Sequence, residues 1–122
     1  MSNETLIQIF EGKKVRVVWN EQEEKYYFAV ADIVELLTET TNPTDYLKKM
    51  RQRDKELAKG WGQIVTPLSY QTAGGMQKIN FADLEGTFRI IQSIPSPKAE
   101  PVKQWLAQVG AQRIDQMIDP EL

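Results

Sequence analysis

Asn42-Pro43-Thr44-Asp45-Tyr46-Leu47-Lys48-Lys49-Met50-Arg51-Gln52-Arg53-Asp54-Lys55-Glu56-Leu57-Ala58-Lys59-Gly60 holds the positive charge of an otherwise acidic chain. Its six cations face three carboxylates, net +3, in a protein of net charge −2, so the remainder carries −5. Asn42-Pro43-Thr44 offers a stop and a restart: Thr44 or Asn42 can cap a helix here, and no Pro or Gly follows until Gly60. The spacing therefore predicts one helix over 44–59. Lys48, Arg51, Lys55 and Lys59 fall on one face of it, Lys49 and Arg53 on the flank. Tyr46, Leu47, Met50, Leu57 and Ala58 gather on another face, suited to docking on a core. A basic stripe on an acidic body points to a polyanionic partner at one face. The competing reading is a merely solvated face, with Glu56 pairing to Gln52 or Lys59.

Composition narrows the chemistry. The 122 residues suit one domain with a core of its own. With no cysteine and no histidine, disulfides, thiolate nucleophiles, Cys/His zinc sites and imidazole catalysis are all excluded. No apolar run is long enough to span a bilayer, and Met1-Ser2-Asn3-Glu4 lacks the start of a signal peptide. A cytoplasmic protein without a cofactor is the expectation. The sequence pI of about 5.2 argues against a generally basic nucleic-acid binder, so any such contact must use one patch.

Outward from the basic stretch, Leu6–Phe10, Val15–Trp19 and Tyr26–Val30 read as three strands of an antiparallel meander. Glu11-Gly12-Lys13-Lys14 is expected as a four-residue hairpin connection, and the acidic run 20–25 as a second turn. Ala31–Leu37 has helical spacing and ends in a threonine-rich patch. Gly60-Trp61-Gly62 should close the basic helix, and Gln63–Thr72 with Met76–Asn80 should form a second hairpin around Ala73-Gly74-Gly75. Asn80 is expected to cap a helix with the buried stripe Phe81, Leu84, Phe88 and Ile91. Gly86 within it either weakens that helix or marks a close backbone approach. After the linker 93–97, either Pro97 or Pro101 opens a last helix with the core stripe Val102, Trp105, Leu106 and Val109. Gly110 is expected to break it before Arg113–Ile118.

The expected fold is thus α+β: a small antiparallel sheet, formed by an early meander and a later hairpin, with about four helices. Its element order is that of a winged helix-turn-helix. Asp32–Leu37 would support, Thr44–Lys59 would read DNA and the hairpin at 72–78 would be the wing. The candidate nucleic-acid-binding residues are Thr44, Lys48, Lys49, Arg51, Gln52, Arg53, Lys55 and Lys59. Lys78 on the wing joins them, with Gln77 beside it. Lys and Arg suit guanine edges or phosphates, Gln52 adenine, and Thr44 a phosphate or a thymine methyl. Trp19 and Trp105 are expected in the core, whereas Trp61, between glycines, is expected at the surface. Glu21, Glu23 and Glu24 read as solvated turn charge rather than a metal site, and Asp32 as a structural carboxylate near a helix start. No acid–base pair emerges, so no enzyme is expected.

Several segments in this order and spacing resemble a known family. They are Val15-Arg16-Val17-Val18, Phe28–Leu37, Asn42-Pro43, Thr72–Gln77, Leu84–Ser93, and Ala99 with Lys103 and Trp105. The chain is similar, from about Phe10 to Asp119, to the BRO-type N-terminal (Bro-N) domain of viral BRO proteins and prophage antirepressors, close to DNA-damage-inducible protein D. The resemblance implies a DNA-binding N-terminal domain, usually followed by a variable C-terminal one, in a phage-derived transcriptional regulator. It implies double-stranded DNA as partner; an antirepressor can instead sequester a repressor protein, and a homodimer is compatible with either. Residues 1–118 would form the domain. Asp119-Pro120-Glu121-Leu122 would open a linker towards a further region.

Overall fold

The alternation of the first thirty residues does become a meander, its first two strands longer than expected and its third displaced by one residue, with Val30 passing to the helix. The computed structural model describes residues 3–118, with side chains over 5–111; residues 119–122 and the side chains of 112–118 lie outside what is described. β1 (Asn3–Phe10), β2 (Lys13–Asn20) and β3 (Lys25–Ala29) pair antiparallel in succession. The first connection is not the expected four residues but two, Glu11 and Gly12, because Lys13 pairs with Phe10 and Lys14 with Ile9. Both turn residues have positive φ, +50° and +82°. That turn geometry matches the right-handed twist of the flanking strands.

β3 runs directly into α1 (Val30–Thr38). Four residues then lead to α2 (Pro43–Arg53), which is followed by α3 (Lys55–Ile64). β4 (Thr66–Thr72) and β5 (Gly75–Asp83) form the later hairpin, α4 (Leu84–Gln92) follows, and α5 (Ala99–Ile118) closes the described chain. β3 pairs with β5 through Tyr27–Asp83, Phe28–Ala82 and Ala29–Phe81. Meander and hairpin therefore share one five-stranded antiparallel sheet in the order β1-β2-β3-β5-β4. The α+β class holds, with five helices where about four were expected.

The extra helix comes from a break in the basic stretch. Asp54 sits at φ −109°, ψ 95°, outside helical space. Its N–H donates to Met50 O at 2.9 Å and ends α2, while its Oδ1 accepts from the Leu57 N–H at 3.0 Å and starts α3. Aspartate is a weak interior helix residue and a strong N-cap, so this position tips towards breaking. The break lets Leu47 and Met50 from α2 and Leu57 from α3 all reach the core. Gly60 and Gly62, expected to stop the helix, lie inside α3 instead.

Three other boundaries move for stated reasons. Pairing with β3 carries β5 through Asp83, so Asn80 and Phe81 are strand residues and Asp83 caps α4, accepting the Gly86 N–H at 2.8 Å. α5 begins at Ala99, at neither Pro97 nor Pro101. Pro101 occupies its first turn, where a backbone donor would have no helical partner. The helix continues through Gly110 without the expected break. Gly86 does mark a close approach: a Cβ there would lie 2.8 Å from Ile64 O, locking α4 against the end of α3.

Two cores result. Val15, Val17 and Phe28 pack one face of the sheet against Ile33, Met50, Ile91, Leu106 and their neighbours. The opposite face holds a smaller cluster of Val18, Tyr27, Ala29, Tyr70 and Phe81. Across it the Tyr70 hydroxyl of edge strand β4 donates to Leu6 O of the other edge strand at 3.5 Å. Trp19 is fully buried, and Trp105 is partly buried with its ring 5.4 Å from Phe10.

Candidate nucleic-acid interface

α2 starts well because Asn42 Oδ1 accepts the Asp45 N–H at 3.1 Å and Pro43 fills the first turn. Leu47 and Met50 seat it on the core. At about 100° per residue this anchoring turns Thr44, Lys48, Arg51 and Gln52 to one outer arc and puts Arg53 on the opposite side. Thr44, Lys48 and Gln52 are exposed. Lys49, also exposed, pairs within the helix with Asp45 at 3.2 Å.

Arg51 differs from its neighbours. It is half-buried, and its guanidinium lies over the Trp61 ring, 4.3 Å from the centroid. The expected exposure of Trp61 is thus only partial; one face of its indole is taken by this cation. Thr44, Arg51 and Trp61 line a cleft of about 340 Å³ whose far wall is β5, with Lys78 and Asn80, and whose floor includes Leu47. No carboxylate lines it.

The expected single ridge is not formed. Asp54 takes α3 off the line of α2, so Lys55 and Lys59 share the exposed face of a second helix. Arg53 and Lys55 flank a separate hollow with Ser93 and Pro95. The structure therefore brings together Thr44, Lys48, Arg51 and Gln52 on α2, gathers Lys78 opposite them, and leaves Arg53, Lys55 and Lys59 apart. Among the described residues, no ion pair engages Lys48, Arg51, Arg53, Lys55, Lys59 or Lys78.

Two capping carboxylates are committed. Asp54 Oδ2 accepts the Ser93 hydroxyl at 2.7 Å and lies 3.5 Å from Arg89 Nη2. The Ser93 hydroxyl, the Leu57 amide and Arg89 hold its carboxyl below the usual range against partial desolvation. Burial pushes the Asp83 carboxyl up, but the Gly86 amide and Lys25 at 2.9 Å outweigh it and leave it lowered. Among the described residues, no three His, Cys, Asp or Glu side chains gather to hold a metal ion. None of the described helices is long and apolar enough to cross a membrane.

Sequence reasoning missed Trp61 as the support of Arg51, and it assigned Asn80 to a helix cap. Neither had a local signal, because the cleft joins Arg51 to Trp61 on a separate helix ten positions on, and to Asn80 on β5, 29 positions on. The break at Asp54 did leave one. Arg51 and Arg53 stand where a helix C-terminus favours cations, and Asp54 and Glu56 where an N-terminus favours anions.

No curated protein and no solved structure matches this chain. A family model described as the BRO family, N-terminal domain, matches residues 14–110. That match runs from β2 through all of the helix–hairpin unit and into α5, and the chain accordingly belongs to the BRO family as an N-terminal domain of it.

Proposed function

We propose that this domain binds double-stranded DNA, with α2 as the contacting helix and the β4–β5 hairpin as a wing, in a cytoplasmic phage-derived transcriptional regulator or antirepressor. The carrying observation is a cleft lined by Arg51 from α2 and Lys78 from β5 and by no carboxylate, with Lys48 exposed on the same arc of α2; among the described residues none of the three cations has an ion-pair partner. Membership of a phage-type regulatory family supports the same reading. Lys48, Arg51 and Lys78 supply the main contacts, with Thr44, Lys49 and Gln52 beside them. Arg53, Lys55 and Lys59 reach flanking backbone at most. The domain works by binding rather than turnover. It spans 1–118.

A second reading, capture of an acidic repressor protein, draws on the acidic remainder of the chain, which repels DNA outside the patch. Fluorescence anisotropy of a labelled duplex at increasing salt separates the two. DNA binding gives log K falling linearly with log[salt], by about 0.9 for each phosphate neutralised. Absence of duplex binding by the wild type at low salt would exclude direct DNA recognition and favour the protein partner.

A further inference from the structure

The cleft itself has a more specific chemistry than a basic surface. Lysines on exposed faces offer mobile point charges, but Arg51 is held on Trp61 and presents a planar fork of donors in one orientation. A guanidinium fixed in this way loses little freedom on bidentate binding. Lys78 comes from a different element, so the two cations converge from opposite walls. Thr44 and Asn80 add neutral hydrogen-bonding groups, and the floor at Leu47 excludes water from one side. The space is concave and far narrower than a duplex, so what enters it must project from its parent molecule. Convergent donors with no acceptor carboxylate suit a singly charged, oxygen-rich group.

We infer that this cleft seats one phosphate of the DNA backbone, and that Trp61, an uncharged residue, acts as a positioning residue by holding Arg51 towards it. The assignment rests on the DNA reading above and adds a discrete anchor that fixes the register of α2 on the duplex. Lys48 and Gln52, outside the cleft, then face whatever lies beside the seated phosphate.

Trp61 makes the seat observable. In the folded chain labelled with 5-fluorotryptophan, the Trp61 resonance is assigned by its loss in Trp61→Phe. A duplex should shift that resonance, and the same duplex with methylphosphonate linkages should shift it far less. Inorganic phosphate should act only at far higher concentration. Trp61→Leu retains every charge and should bind duplex about fivefold more weakly at an unchanged salt slope, a loss in the range of a cation–π contact. Trp61→Phe should recover most of it. Arg51→Gln should lower the slope by about one unit, and adding Trp61→Leu to it should cost nothing more. Duplex binding by wild type with Trp61 unmoved, or equal affinity in a folded Trp61→Leu, would overturn the seat while leaving the DNA reading intact. A Trp61 response to sub-millimolar phosphate but not to duplex would overturn it in favour of a free anion. Failure of wild type to bind any duplex instead removes the reading on which the seat rests.

Discussion

Arg16 closes on Asp32 with three hydrogen bonds of 2.8 Å each, from its backbone N–H, Nε and Nη2, across sixteen positions of chain. Asp32 is 8% exposed and sits in the first turn of α1, so one carboxylate favours the helix start and ties it to β2. The same carboxylate raises the Arg16 pKa, chiefly by hydrogen bonding and against partial desolvation. Asp32→Ala strands a half-buried guanidinium and should cost about 2–3 kcal/mol, below the full loss for a deeply buried pair because Arg16 keeps some solvent. Urea unfolding reads this as a lower midpoint at an unchanged m-value.

The helix caps predict an acid limit. Asp54 and Asp83 both have lowered carboxyl pKa values in the folded state. Stability from these groups is therefore present above the unfolded carboxylate pKa, about 3.9, and is lost as pH falls through the folded values. Thermal unfolding from neutral pH to pH ~3 should show the melting temperature dropping in that acid window. Asp54→Asn and Asp83→Asn should start lower at neutral pH and approach wild type in acid. Curves that stay parallel would show that these carboxylates do not govern the limit.

Two glycines should respond with opposite sign. A Cβ at Gly62 meets nothing within 4 Å on an exposed face of α3, so Gly62→Ala should stabilise by about 0.5–1 kcal/mol through helix propensity. At Gly86 the same methyl would stand 2.8 Å from backbone Ile64 O, so Gly86→Ala should destabilise by roughly 2 kcal/mol as α3 and α4 are forced apart. Chemical denaturation of the two variants measures both.

The split of the basic stretch makes a prediction that a single ridge would not. Lys48→Glu with Arg51→Glu should reduce duplex affinity by more than about 100-fold at low salt, through lost contacts and added repulsion. Lys55→Glu with Lys59→Glu, an equal charge change on α3, should reduce it only about fivefold, by long-range repulsion. Anisotropy titrations of both double variants, matched for circular dichroism, decide the matter. Equal losses would argue for one continuous basic surface.

What was readable in the sequence follows the range of the forces involved. Alternating Val15–Trp19 gives a strand and Val102, Trp105, Leu106 and Val109 give a helix, because each pattern depends on neighbours within a few positions. The strand pairing of Phe28 with Ala82 is set by sheet closure over 54 positions, and it moved the cap of α4 from Asn80 to Asp83. Asp54 lay between the two cases. Propensity weakened the helix there without fixing a break, and packing of Met50 and Leu57 on one core completed it. The same break decides which cations can share an interface, so the α2 part of the site was legible and its separation from Lys55 and Lys59 was not. The stacking of Arg51 on Trp61 depends on the course of α3 after that break.

The family match begins at residue 14, yet β2 is paired along its whole length by β1, and the Tyr70 hydroxyl of β4 donates to Leu6 O in that first strand. The unit that folds is thus larger than the unit by which the family is recognised. A chain trimmed to start at residue 14 would expose the unpaired edge of β2, with its valine-rich run, as a template for aggregation. It would also release the hairpin from the Tyr70–Leu6 tether to the opposite edge of the sheet. Expression boundaries chosen from family alignment alone would then loosen the β4–β5 hairpin before any ligand was added.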